Sequence, residues 1–160
     1  MRMSFRVTVF LVIIAVTIAS VVAATAAFAA SAPEGGDGAH TLRLHTILVS
    51  SVVNDAGHGG PGDVTALLFD IQTPPGHEAG KAHISCTTIT PDVQLCHAAF
   101  VLAPGQIEAQ ASIPMTATTF DAAIIGGTGA YEGVSGQIHN VVQGPGVIDR
   151  TFHLITPHNR

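Results

Sequence analysis

IGGTGAYEGVSGQI, running from Ile125 to Ile138, places five glycines in fourteen residues. Gly126, Gly127 and Gly129 permit positive φ and close backbone approach, which a tight corner between strands requires. Gly133 and Gly136 relieve side-chain crowding where a strand bends around a narrow barrel. All five read as architecture.

Outward from this stretch the chain consists of short β-rich runs cut by turn residues. Asn54-Asp55-Ala56-Gly57, Pro74-Pro75-Gly76, Pro91-Asp92, Pro104-Gly105, Gly126-Gly127 and Gly144-Pro145-Gly146 supply the breaks. Eight strands are predicted, near 42–53, 63–72, 82–90, 94–102, 106–114, 119–126, 134–143 and 147–155. Alternation is clear in the fifth, where Ile107, Ala109, Ala111 and Ile113 share one face and Gln106, Glu108, Gln110 and Ser112 the other. Gaps this short suit antiparallel neighbours and exclude crossover helices. Eight such strands form either a closed up-and-down barrel or a two-sheet sandwich. An eight-stranded barrel is just wide enough to be filled by side chains or to hold one small ligand.

The first 29 residues read as a secretory signal peptide: Arg2 and Arg6, an uncharged apolar run from Val7 to Val22, then Ala27-Phe28-Ala29 as the cleavage site. A retained membrane anchor is the alternative reading of that run. Residues 30–40 form a Gly-rich tail, and 41–160 the barrel domain. Cleavage leaves 131 residues, the size of one domain. Those residues carry four basic and eleven acidic side chains, a formal balance of −7. An acidic surface without a basic run argues against nucleic acid and anionic lipid as partners. The lack of Trp argues against a carbohydrate-stacking platform. Cys86 and Cys96, an even pair in an exported chain, read as one disulfide. A turn at Pro91-Asp92 sets them nearly opposite each other on adjacent strands. The alternative is a metal-binding or catalytic thiol pair.

The glycine-rich stretch resembles that of plant allene oxide cyclases, in which a Gly-Gly-Ser/Thr-Gly turn leads to an aromatic residue, then Glu-Gly and Gly-Gln. Dirigent proteins, built on the same barrel, have a related Gly-Gly-Thr-Gly turn. Gly62-Asp63-Val64, Ser85-Cys86 and Ala99-Phe100-Val101-Leu102 with Pro104-Gly105-Gln106-Ile107 fall in the family's order, so the similarity spans about residues 62 to 142. The resemblance implies an all-β, eight-stranded antiparallel barrel that assembles as a homo-oligomer, dimer or trimer. It further implies a barrel that needs no cofactor and guides the ring closure of a small unsaturated molecule, as bacterial spirotetronate cyclases do on a similar frame. The family's chemical residues largely do not carry over. A first-strand Glu of the cyclases has no counterpart in Val49-Ser50-Ser51-Val52-Val53. A second-strand Asn falls near Phe69-Asp70, and the dirigent Arg falls near Val134 and Ser135.

Three polar residues are candidates to line a ligand pocket. Asp70 ends the second strand, Tyr131 follows the glycine turn, and Arg150 stands among apolar neighbours in the eighth. If Arg150 points inward, a carboxylate partner is expected, because an unpaired buried cation is costly; otherwise it snorkels at a subunit interface. Glu108 and Glu132 read as rim or solvent-facing carboxylates. No residues form a metal motif. His83 and His97, diagonal on the hairpin face opposite the disulfide, lack the third ligand that a shared ion would need. Gly57-His58-Gly59-Gly60-Pro61-Gly62 precedes a strand, so no helix terminus is present to bind phosphate. It reads as a loop at the barrel rim. Two functions follow: a secreted barrel acting on a small apolar unsaturated ligand as isomerase, cyclase or stereochemical guide, or a non-catalytic binding or structural barrel with a packed interior.

Overall fold

The computed structural model describes residues 39–54 and 60–156. The expected leader, the expected tail up to residue 38, residues 55–59 of the expected rim loop and the last four residues lie outside the described residues. Eight strands follow in order: β1 (Ala39–Asn54), β2 (Val64–Gln72), β3 (Glu78–Thr90), β4 (Val93–Leu102), β5 (Gly105–Pro114), β6 (Thr119–Gly129), β7 (Ser135–Gly144) and β8 (Val147–Ile155). Each pairs antiparallel with its sequence neighbour, and β1 pairs with β8, so the sheet closes into a barrel. Closure leaves no free sheet edge. The sandwich is excluded.

Three boundaries differ from expectation by three residues or more: β1 begins at Ala39, β3 at Glu78, and β6 runs on to Gly129. β6 continues through the glycines to Gly129, instead of ending at Gly126. The extra residue is absorbed in a bulge: Glu108 pairs with Gly126, but Ala109 pairs with Ile124. The chain then reverses over Ala130 to Val134, where Tyr131 N–H donates to the Thr128 carbonyl and Val134 N–H to that of Tyr131. Gly129 takes φ 63°, in the left-handed region. At Gly136 a Cβ would lie 1.9 Å from the His153 carbonyl oxygen, so the β7–β8 approach requires glycine. Gly126 has no such constraint, since nothing lies within 4 Å of its notional Cβ. β3 begins at Glu78, four residues earlier than expected, and extends its ladder with β2.

The disulfide pairs Cys86 with Cys96, which are directly opposite in the β3–β4 register. Both cysteines point into the barrel. The two-residue Pro91-Asp92 turn joins Thr90 to its partner Val93.

The interior has two zones. The lower zone lies toward the β2–β3, β4–β5 and β6–β7 connections. There Leu44, Ile71, Leu102, Ile107, Ile124, Phe152 and Leu154 interdigitate, with Tyr131 and Val134 closing the end. Phe100 meets Phe152 edge to face at 4.9 Å between ring centres. The upper zone is where the site lies.

Candidate functional site

Inward-facing positions in the upper zone carry small side chains. Ala98 on β4 pairs with Ala109 on β5, Cys96 pairs with Ala111, and Ala122 follows on β6. One wall of the barrel therefore stops well short of the axis and leaves a cavity of about 200 Å³. Leu67, Ile84, Phe120, Val142 and Ile148 complete its apolar sides, and Pro114, Met115 and Ala117 stand at its mouth.

The floor is polar. Arg150, 4% exposed, enters from β8 among Ile148, Phe152 and Leu154, as alternation requires. Its Nε–H donates to Thr46 Oγ1 (3.1 Å) and Nη1–H to Asn140 Oδ1 (2.6 Å). Asn140 and Thr46 are themselves fully buried and held by backbone. Asn140 Nδ2 donates to the carbonyls of Phe120 and Ile138, and Thr46 Oγ1 donates to that of Ile148. The guanidinium carbon lies 5.4 Å from the ring centres of both Phe69 and Phe100, within cation–π range. Burial pushes the Arg150 pKa down to about 10, so it stays charged at neutral pH. Because this folded-state value is below the ordinary one, the charge disfavours folding, on the order of 3 kcal/mol. That cost is fully present below pH about 10 and is relieved only as pH rises beyond it.

Arg150 thus faces the cavity, and no described residue supplies the carboxylate partner expected for it: a hydroxyl, an amide oxygen and two rings surround it instead. Asp70 lies elsewhere. It has the opposite parity to Phe69 and Ile71, points outward and pairs with Lys81 Nζ at 2.8 Å. The Lys81 pKa is raised chiefly by that bond and then by the bond to Glu78. Tyr131 is buried, but in the lower zone, away from the cavity; burial raises its pKa. Of the three candidates only Arg150 lines the cavity. Glu132 is exposed, and Glu108 lies on the outer wall, where it binds Gln106 and approaches His97 to 3.3 Å. His83 and His97 are exposed on the outer wall, away from the disulfide side chains. Among the described residues no group of three metal-ligating side chains occurs.

Sequence reasoning missed Asn140 and Thr46. The signal was present: each is a polar residue at an apolar-parity position, Asn140 between Ile138 and Val142, Thr46 between Leu44 and Leu48. No Asp, Glu or His lines the cavity among the described residues, so no carboxylate or imidazole stands ready there to move a proton.

The same barrel is found in solved structures. One is a pyocyanin demethylase, 24% identical, covering 72% of this chain and 99% of that one, TM-score 0.64. Another is a pterocarpan synthase dirigent protein, 16% identical, covering 77% and 98%, TM-score 0.63. A third is the Diels-Alderase AbmU from Streptomyces koyangensis, 16% identical, covering 80% and 73%, TM-score 0.61. This chain has the allene oxide cyclase/dirigent-like barrel fold. No family model matches the sequence, and no curated protein does. At these identities the likeness concerns the fold, and function rests on the site.

Proposed function

We propose that the protein is an exported barrel that binds one small, largely apolar, unsaturated molecule in its upper zone and acts on it as a cyclase-type catalyst or stereochemical guide. The observation that carries this reading is the alanine-walled cavity floored by a single buried cation. Its volume exceeds the roughly 150 Å³ of an engineered apolar cavity that takes up benzene, yet it is below the usual range for drug-sized ligands. A compact one- or two-ring molecule suits it. With no carboxylate or imidazole on the wall among the described residues, the available means of acceleration are shape, water exclusion and a fixed positive charge. Ring closure of a folded, unsaturated chain needs little more. The reading gains support from structural neighbours named as a Diels-Alderase and a dirigent pterocarpan synthase. Export is supported by the leader sequence and the disulfide.

The packed lower zone and a cavity wall without a carboxylate among the described residues favour a second reading, a binding or structural barrel without catalysis. Purification of the protein from its native host, followed by mass spectrometry of the denatured sample, tests the first. An unsaturated small molecule is expected in the wild type and not in Ala111→Leu, which fills the cavity. An empty wild-type barrel whose thermal stability no unsaturated ring compound raises would leave only the second reading.

A further inference from the structure

We propose that the molecule taken up by the cavity carries a delocalised oxyanion, a carboxylate, phenolate or enolate conjugated to its unsaturated frame, and that Arg150 receives it. The inference rests on the container reading above and names the class of ligand.

Three observations support it. First, Nε and Nη1 of Arg150 are committed to Thr46 and Asn140, while Nη2 makes no hydrogen bond to any described residue. Both committed partners are neutral, so they fix the plane of the guanidinium without neutralising it. Secondly, among the described residues no acidic side chain lines the cavity. Asp149, next in sequence, points outward to His45 at 2.6 Å and is also bound by Gln143 at 2.8 Å; Asp70 and Glu78 hold Lys81. A buried cation without a counterion is destabilising until an anion of fitting geometry arrives. Thirdly, the walls above Arg150 are apolar, so an oxyanion reaching it would be held in a low-dielectric site by a charge-assisted bond. Phe69 and Phe100 flank the cation and narrow the approach. A positive charge fixed there would also stabilise negative charge developing on a carbonyl oxygen during ring closure.

The test uses the purified protein with 4-nitrophenol and its near-isostere 4-nitrotoluene, both single rings small enough for the cavity. Absorbance reports the phenolate directly. Wild type is expected to bind the phenolate about tenfold or more tighter than 4-nitrotoluene, which lowers the apparent pKa of bound 4-nitrophenol by about one unit or more. Arg150→Met should bind the two compounds alike and abolish the ionisation shift, while Arg150→Lys should retain part of it. If Arg150→Met does not fold, the wild-type shift and its change in Arg150→Lys decide the matter. Equal binding of both probes by wild type, with unaltered ionisation, overturns the oxyanion proposal and leaves the container reading standing. Binding of neither probe overturns both.

Discussion

The two zones of this barrel share strands, turns and alternation, yet one is a solid core and the other a vessel. The difference comes from side-chain volume at equivalent inward positions. On β5, Ile107 fills the lower zone while Ala109 and Ala111 open the upper one; on β4, Phe100 and Leu102 fill while Ala98 opens. Arg150, Asn140 and Thr46 form the boundary. The lower zone is built to hold the cylinder closed, and that leaves the upper zone free to be hollow and to hold a charge that is unfavourable for stability. The packed core and the cavity are thus separated along the barrel axis.

The separation can be broken or sharpened experimentally. Phe152→Ala, at a fully buried lower-zone position in contact with Phe100, should cost about 3–5 kcal/mol, read as the loss in a urea unfolding curve. Removal of the disulfide in Cys86→Ser/Cys96→Ser is expected to cost about 2–3 kcal/mol, for a loop of ten residues, and a melting scan with and without reductant checks it. Ala82→Leu and Ala111→Leu form a matched pair. The first overpacks the lower zone and should cost about 1–3 kcal/mol, whereas the second enters empty space and should cost less than about 1 kcal/mol. Equal costs for the two would mean that the zones do not differ in packing. The smallest effect on stability is expected for Arg150→Met/Asn140→Leu, which removes the buried charge and its amide partner together. It should be at least as stable as wild type by chemical denaturation, in contrast to Arg150→Met alone, which leaves Asn140 Oδ1 unpaired. A double variant clearly less stable than wild type would show that the polar floor holds the barrel together.

Much of this was legible in the sequence because it is local. The alternation of Ile107, Ala109, Ala111 and Ile113, the turn chemistry at Pro91-Asp92 and Gly144-Pro145-Gly146, and the spacing of Cys86 and Cys96 each act over a few residues. They specify strands, hairpins and the disulfide with little help from the rest of the chain. Even the outward setting of Asp70 was implied by its parity against Phe69 and Ile71. The bulges were less legible. The one between Leu48 and Ser50 changes the parity of β1, and the one at Ile125-Gly126 carries β6 past its expected end.

The sequence by itself determined eight extended segments, their antiparallel order and the covalent tie between β3 and β4, because hydrogen-bonding pattern, period-two alternation and turn preference are short-range properties. Only the tertiary structure decided that four alanines from three strands meet on one wall, that Thr46 of β1 joins the Arg150–Asn140 pair of the β7–β8 hairpin where the barrel closes, and that no carboxylate among the described residues joins them. A cavity is a relation between side chains on different strands, and it exists only once the sheet has closed on itself.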